Sequence, residues 1–319
     1  MPTGALAPRF VREAGVSNVA VVGSCNMDLV SRAHRIPRAG EHLLATGFGT
    51  FLGGKGANQA VAARRAGSSV TMVARVGRDA FGDLIVAALG EEGIDTSSVS
   101  RDDGEPTGNA SIWLDDAGEN RILVFPGANG QLVPTVVADA PLPTGPRAVL
   151  LMQLEVPMAT VVATAARARD LGLMVVVNAA PAAPLPPELW ALVHVLVVNE
   201  TEASALVGID DPEAAARALV ERGCGAAVVT LGAAGCVVAA SSNALPVRIR
   251  ALAPSQVVDT TGAGDAFCGV MASRLGDGAS LAEAAWAGNA AGSLAVEVLG
   301  AIPSMPTARA INDRMAQRS

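Results

Sequence analysis

The sequence predicts an α/β fold: a three-layer α/β/α core built on a mostly parallel sheet, with a small β-sheet lid. Three observations predict it. A length of 319 residues with 50% hydrophobic content supports a sizeable buried core. Short β-branched runs alternate with helical segments, which is the pattern of βαβ units. Two further segments interrupt that alternation and resemble hairpins outside the main sheet.

Six apolar runs predict the strands of the main sheet. Each run is apolar on both faces, as expected for parallel strands that helices cover on both sides. Open sheets of this kind bind ligands at the carboxyl ends of their strands, so polar residues that follow the runs are candidate site residues. The runs are 19–22, 70–76, 148–152, 173–177, 195–198 and 226–231.

The two interrupting segments, 29–51 and 109–124, predict a lid over that crevice. The inner face of such a sheet needs an apolar partner, which a closed ligand site or a second subunit would provide. We therefore expect a homodimer formed through the lid sheet. A single domain is expected to span 18–319, with 1–17 as an N-terminal extension.

Composition restricts the partners and the compartment. A net charge of -7 and a pI near 5.0 leave no broad basic surface, so nucleic-acid binding is not expected. Residues 1–17 have no continuous apolar core, and no apolar run reaches the roughly 20 residues that span a membrane. The four cysteines form no C-x-x-C pair. These features predict a cytoplasmic protein with reduced thiols.

The stretch 257–265 carries the strongest chemical pattern, because two glycines and an acid stand where a helix is expected to begin. Free N–H groups at Gly262, Ala263 and Gly264 can bind an anion. Asp265 beside them can deprotonate an alcohol during phosphoryl transfer, and Asp259 offers oxygen to a hard cation. The alternative is a glycine-relaxed turn followed by an acid that the helix dipole favours.

A second glycine loop holds Lys55, which is the single lysine of the chain. Paired glycines let a polyhydroxy ligand lie against the main chain, and Asn58 can bind its hydroxyls. A hinge for the lid, or a chance lysine on a solvated loop, would give the same pattern. Rossmann dehydrogenase chemistry is excluded, because Gly23 opens no G-x-G-x-x-G fingerprint after the first strand.

Two polar clusters follow predicted strands. Asn26 and Asp28 can bind a vicinal diol, or form an ordinary turn. Asn199 and Glu202 have capping-box spacing, and Glu202 could also order magnesium-bound water.

Taken together, the chain resembles the ribokinase-like (PfkB) family of carbohydrate kinases, within it the branch that phosphorylates ribose, from about residue 19 to 306. The resemblance is specific because several motifs match in the same order. They are Gly23 to Asp28, Gly53 to Ala62, Met152-Gln153-Leu154-Glu155, Asn199 to Glu202, Thr230-Leu231-Gly232 and Asp259 to Asp265.

The resemblance implies a role for each matching residue. It makes Asp265 the catalytic base and Gly262, Ala263 and Gly264 the anion hole, with Glu202 organising magnesium through water. It places the sugar against Asn26, Met27, Asp28, Gly54, Lys55, Gly56, Ala57, Asn58, Glu155 and Asp265. It places ATP against Asn199, Thr230, Leu231, Gly232, Ala233, Ala234, Gly235, Gly264 and Asn289.

The resemblance also implies an activating potassium ion beside the anion hole, held mostly by backbone carbonyls. The matching positions are Asp259, Thr261, Ala295, Val298, Gly300 and Ser304.

The expected function is therefore ATP-dependent phosphorylation of D-ribose at O5. Two alternatives stay open at this point. One keeps the chemistry with 2-deoxyribose, fructose or a nucleoside as acceptor, and Trp113 on the lid is the candidate wall for a base. The other is a non-catalytic sugar or nucleotide sensor, because a fold alone does not establish a reaction.

Overall fold

The computed structural model describes residues 16–241 and 244–317, and the predicted extension lies almost wholly outside these residues. Within them, Ser17 is buried, and its hydroxyl lies 2.7 Å from the hydroxyl of Ser68. The strands are β1 (Asn18–Val22), β2 (Asn26–Arg32), β3 (Gly47–Gly53), β4 (Ser69–Gly77), β5 (Asp95–Asp102), β6 (Gly108–Leu114), β7 (Asn120–Phe125), β8 (Ala148–Met152), β9 (Met174–Asn178), β10 (Val195–Asn199), β11 (Ala226–Thr230), β12 (Cys236–Ala239) and β13 (Val247–Ile249).

Helices connect most of these strands. They are α1 (Lys55–Arg65), α2 (Ala80–Glu91), α3 (Pro134–Val137), α4 (Met158–Asp170), α5 (Pro187–Leu192), α6 (Glu200–Val207), α7 (Pro212–Glu221), α8 (Ala263–Gly276), α9 (Leu281–Ala295), α10 (Ala301–Ser304) and α11 (Ala308–Ala316). Two short 3₁₀ helices lie at Gly127–Gln131 and Gly232–Ala234.

Nine strands form the main sheet in the order β13-β12-β11-β10-β9-β8-β1-β4-β5. The six predicted runs are all central parallel strands, and β12 and β13 pair antiparallel at one edge. Alternate residues of β1 point into two separate apolar cores: Val19 and Val21 pack with α1, α8 and α9, whereas Ala20 and Val22 pack with α4 to α7. The predicted three-layer architecture is confirmed.

The remaining four strands form the lid, in the order β3-β2-β6-β7. Its centre is the parallel pair of β2 and β6, and β3 and β7 flank them antiparallel. The lid begins at Asn26, three residues before the predicted segment, so Asn26 and Asp28 belong to a lid strand and not to a turn after β1.

Three strands were not predicted. β5 is polar along much of its length, and β12 and β13 are only four and three residues long. β5 and β13 are the two edge strands of the sheet, where one neighbouring strand is enough and a continuous apolar run is not required. β12 lies between β11 and β13 and was missed because it is short. None of the described helices is both long enough and apolar enough to cross a membrane.

Candidate active site

Three adjoining cavities lie at the carboxyl ends of the parallel strands. The lid cavity, about 700 Å³, lies beneath β2, β3 and β6 and includes Asp28. The central cavity, about 240 Å³, includes Lys55 and Asp265. The distal cavity, about 380 Å³, lies against α8 and α9. Thr260 lines all three, so they form one continuous crevice.

The start of α8 forms the floor of the central cavity. Gly262 is the N-cap residue with φ 78°, a left-handed conformation that favours glycine. A side chain there would also lie within 3.0 Å of the Cα of Ala301 and the Cε of Met305. The glycine is therefore needed for the tight approach of α10. Gly262 and Gly264 both line the central cavity, whereas the N–H of Ala263 donates to the carbonyl of Thr260 at 3.3 Å.

Asp265 lies in this first turn and is only 7% exposed. Its Oδ2 accepts a hydrogen bond from Nδ2 of Asn58 at 2.9 Å, and its Oδ1 accepts one from Nε2 of Gln59 at 2.9 Å. Both donors lie on α1, which packs against α8. The structure thus brings the second glycine loop and the candidate base into direct contact.

Lys55 has two separate surroundings. Its backbone N–H donates to Oε2 of Glu155 at 3.0 Å, whereas its side chain lines the central cavity with Asp265 and Glu202. Burial alone would lower the pKa of the ammonium, but the three carboxylates outweigh burial and the pKa is raised. Lys55 is therefore a fixed positive charge in the central cavity and lies outside the residues that line the lid cavity.

The loop around Lys55 packs against the loop after β1. Gly54 has φ 88°, and a Cβ there would lie 2.8 Å from the backbone nitrogen of Asn26. A Cβ on Gly56 would lie 2.6 Å from the carbonyl oxygen of Ser24. Only glycine permits this contact, which joins the start of α1, including Ala57, to the first lid strand.

At the mouth of the lid cavity, polar groups of β2 stand beside a second carboxylate. Burial, followed by the negative charges of Glu155 and Asp265, raises the pKa of Asp28 to about 7. Asn26 accepts a hydrogen bond at its Oδ1 from Asn129, and Met27 between them is buried. Glu155 also accepts a hydrogen bond from the Ser24 hydroxyl. The carboxylates and amides expected to bind a diol therefore lie together.

Asn199 and Glu202 form the predicted capping box at the start of α6. Each side chain accepts from the other's backbone N–H at 2.8 Å. Both residues also line the central cavity. Burial raises the pKa of Glu202, although the hydrogen bond from the Asn199 backbone N–H and the positive charge of Lys55 act in the opposite direction. The capping box therefore does not remove either residue from the cavity, and the predicted ligand role stays a prediction.

The distal cavity is mostly apolar and is lined by Phe267, Val257 and the predicted residues Thr230, Gly232, Ala233, Gly235, Gly264 and Asn289. Nδ2 of Asn289 donates to the carbonyl of Ile249 at 3.2 Å, which fixes α9 to the edge of the sheet. Leu231 and Ala234 belong to the same loop but are not among the residues that line the cavity.

Asp259 joins the loops expected to hold a monovalent cation. Its carboxylate accepts from the backbone N–H of Thr261 at 2.9 Å and of Gly300 at 2.8 Å. Ser304 instead donates its hydroxyl to the carbonyl of Ala301. The other two positions lie at the end of α9, where Ala295 is buried and Val298 is 43% exposed.

Sequence reasoning missed four buried amides of the site. Gln59 and Gln153 are fully buried behind Asp265, Asn178 ends β9, and Asn129 holds Asn26. Gln59 and Gln153 stand inside the matched motifs, and an uncharged polar residue directly after a buried strand was the available signal for Gln153.

The fold and the crevice together define an α/β enzyme with a β lid and a helix N-terminus at its centre. A family model described as pfkB family carbohydrate kinase matches residues 16–308. The chain belongs to this family.

Individual relatives give a consistent picture. The chain is 37% identical over 303 residues to a ribokinase of Mus musculus, covering 92% of this chain and 94% of that one. It is 36% identical to a ribokinase of Haemophilus influenzae, covering 91% and 95%. A solved ribokinase structure of Arabidopsis thaliana, complexed with ribose and ATP, superposes with a TM-score of 0.86 at 32% identity and covers 96% of this chain and all of that one.

Proposed function

We propose that this protein transfers the γ-phosphoryl group of ATP to O5 of D-ribose, giving ribose 5-phosphate and ADP. The observation that carries the proposal is a buried carboxylate, Asp265, in the first turn of α8 beside an N-cap glycine. Relatives that match over more than nine tenths of both chains are ribokinases, and the similar Arabidopsis structure holds ribose and ATP.

Asp265 acts as the general base. Its carboxylate accepts the proton of the sugar hydroxyl while that oxygen bonds to the γ-phosphorus, and the bond to the β,γ-bridging oxygen breaks with its electron pair leaving on ADP. Asp28 lines the lid cavity and would bind another hydroxyl of the sugar, with Asn26 on the same strand and the nearby Glu155 as further partners. Asn58 donates to the base itself.

Negative charge on the transferred group is stabilised from two sides. Gly262 and Gly264 line the central cavity, and the predicted anion hole would use the N–H groups of Gly262, Ala263 and Gly264. Without ligand the N–H of Ala263 donates to the carbonyl of Thr260 at 3.3 Å, so a phosphoryl group would take the place of that contact. Lys55 places its ammonium in the same cavity. The nucleotide then extends into the distal cavity, where Phe267 and Val257 provide apolar contact for a base and Asn289 lies beside it.

The donors in the central cavity suit magnesium only in combination with phosphate. Among the residues that the structure describes, no three His, Cys, Asp or Glu side chains are arranged to hold a metal. Magnesium commonly keeps several waters and binds through one or two carboxylates plus substrate phosphates. Glu202 would hold such a water, and the bound ion would neutralise charge on the phosphates.

Potassium is proposed as an activator at the loops that Asp259 joins. The backbone N–H groups of Val258 and Asp259 donate to the carbonyl of Val296, so the segments before α8 and after α9 are held side by side. Carbonyl oxygens at Thr261, Ala295 and Val298 would complete the site, with Ser304 nearby. A cation there would fix the approach to the anion hole without contacting substrate.

The first prediction concerns acceptor and cation. Magnesium-ATP with D-ribose is expected to release ADP far faster than with 2-deoxyribose, fructose or adenosine, and potassium is expected to raise kcat about tenfold, which corresponds to about 1.4 kcal/mol. ADP release is measured in sodium-free buffer, with an organic cation keeping ionic strength constant. Ribose-dependent release that is equal with and without potassium would refute only the cation site, whereas binding of ATP without turnover on any sugar would favour a sensor.

The nucleoside alternative loses its main support in the structure. Trp113 stands between Ile112 and Leu114 on β6, and these two neighbours line the lid cavity. Because side chains alternate along a strand, Trp113 points to the opposite face of the lid.

We also propose that two copies associate through the lid. Ile122 pairs with Ile112 in register and so lies on the cavity side of the lid, yet it is 54% exposed. Leu123, Val124 and Phe125 beside it are 75%, 49% and 46% exposed. A second copy of this chain would cover the exposed apolar side chains of this edge strand, because a two-fold interface brings the same surface of both copies together.

The second prediction tests this interface. Ile122→Lys is expected to convert a dimer into a monomer in sedimentation velocity, because the charge would be buried against the partner. Leu171→Lys at the end of α4 is the matched control, since Leu171 is 42% exposed and α4 packs against strands of the main sheet. Both variants remaining dimeric would exclude this strand as the interface.

We also propose that the protein is cytoplasmic and does not bind nucleic acid. All four cysteines are buried and free, which supports a reducing cytoplasm. The net charge of -7 argues against nucleic acid as a partner.

A further inference from the structure

A chain of buried amides contacts Asp265. Asn178 of this chain lines the central cavity, whereas Gln59 and Gln153 line none of the three cavities. Nε2 of Gln59 donates both to Oδ1 of Asp265 at 2.9 Å and to Oδ1 of Asn178 at 3.0 Å. Oε1 of Gln59 in turn accepts from Nε2 of Gln153 at 2.6 Å. Gln59 and Gln153 are 0% exposed, and Asn178 is 8% exposed.

The direction of this chain is fixed by the carboxylate. An ionised carboxylate only accepts hydrogen bonds, so Gln59 must turn its amino group toward Asp265. Its carbonyl oxygen then faces Gln153, which must also present an amino group. If Gln59 turned over, two oxygens would face each other at Oδ1 in a buried site, where an unpaired acceptor is costly.

The two carboxylate oxygens therefore have different surroundings. Oδ1 is held by Gln59, which lines none of the three cavities. Oδ2 accepts from Asn58, whose own Oδ1 is buried without a hydrogen-bond partner in the described structure. Asn58 can thus exchange its hydrogen bond with Oδ2 for one with a bound sugar, whereas Gln59 is expected to keep its hydrogen bond with Oδ1.

We propose that Gln59, backed by Gln153, is a positioning residue that holds the Asp265 carboxylate oriented with Oδ2 toward the acceptor hydroxyl. This inference rests on the proposed role of Asp265 as the base. Gln59 acts through that carboxylate and contacts neither sugar nor nucleotide. Gln153 acts one step further back, by preventing Gln59 from turning over.

Other charged or ionisable groups face the same carboxylate and stay unchanged in the test. They are Lys55 on α1, Asp28 on β2, Glu202 on α6 and Cys268 on α8. Because these remain in place, a shift in pH dependence on changing Gln59 reports the lost hydrogen bond to Asp265.

The third prediction is a pH profile for Gln59→Met. Single-turnover phosphorylation is expected to slow about 10- to 100-fold, because one buried donor to a reacting group is lost, while KM for ribose and ATP changes less than about threefold. Removing a donor disfavours the ionised carboxylate, so the acidic limb of the rate profile is expected to move up by about one pH unit. Rapid-quench measurement from pH 5 to 9 keeps product release from masking the step.

Two further variants separate positioning from folding. Gln153→Met leaves the bond between Gln59 and Asp265 in place and is expected to slow the step about 3- to 10-fold, with a smaller shift in the same direction. Ser273→Ala is the matched control. Ser273 lies on α8, the helix that carries Asp265, and its hydroxyl belongs to a buried chain with the hydroxyls of Ser68 and Ser17. The variant is expected to lower Tm by a few degrees without moving the acidic limb.

An unchanged acidic limb and rate in Gln59→Met, or a loss confined to KM, would overturn the inference. Should Gln59→Met fail to fold, an unshifted profile in Gln153→Met would overturn it equally. The proposed function is judged separately, by Asp265→Asn: if that variant is inactive while both glutamine variants behave as wild type, only the positioning role is wrong.

Discussion

Asp265→Asn is expected to lower kcat by about 10³-fold, within the range that a positioned general base contributes. Binding of ATP should stay within about threefold of wild type, because the side chain keeps its size and the distal cavity is untouched. The new amino group cannot take a proton from the sugar hydroxyl, so the loss falls on the chemical step. Coupled ADP release gives kcat, and calorimetry gives nucleotide affinity.

The fold should tolerate this change. Asp265 accepts from both Asn58 and Gln59, so one of these donors would face the new amino group. Oδ1 of Asn58 has no partner in the described structure, so its amide can turn over and accept instead. A Tm within a few degrees of wild type is therefore the internal control, and turnover above a tenth of wild type would exclude Asp265 as the base.

The central strands were predictable because strands that are buried on both faces have almost entirely apolar sequences. A parallel strand with helices on both faces is apolar along its buried length, as at residues 195–198. The asparagine that follows marks the ligand end of the strand. β5 carries no such mark, because it needs only one neighbouring strand and half-buried polar residues satisfy it. The edges of the sheet were therefore the part that could not be predicted.

The candidate site divides in a similar way. Residues at strand ends and helix starts, such as Asp28, Glu202 and Asp265, could be named because their chemistry and their position point the same way. Which cavity Lys55 lines could not be deduced from the sequence. Its main-chain N–H donates to Glu155, whereas its side chain lies in the central cavity. The link from Gln59 to Asp265 spans 206 residues, and only the packed structure brings such groups together.

Gly264→Ala is expected to separate stability from function more sharply than any other single change. Gly264 lies inside α8, and a Cβ there would meet no heavy atom within 4 Å. Alanine in place of glycine within a helix stabilises it by about 0.5–1 kcal/mol, so Tm should rise slightly. Nothing in the protein alone explains why this position is a glycine.

The explanation lies in the space outside the helix. Gly264 lines both the central and the distal cavity, where the phosphates of a nucleotide would pass between them. A methyl group there would hold the phosphoryl group away from the first-turn N–H groups, and their electrostatic stabilisation falls steeply with distance. We expect kcat/KM for ATP to drop about 100-fold while the protein becomes more stable.

Gly90→Ala provides the matched control for this prediction. Gly90 lies in α2, is exposed, and also has no heavy atom within 4 Å of an added Cβ. It should give a similar small rise in Tm with unchanged kcat/KM, measured by the same thermal melts and ADP-release assay. If Gly264→Ala keeps wild-type kcat/KM, the phosphoryl group does not approach the start of α8, and the anion hole must be sought elsewhere in the crevice. If Gly264→Ala loses activity while its Tm rises as much as that of Gly90→Ala, glycine is needed at position 264 for ligand binding and not for folding.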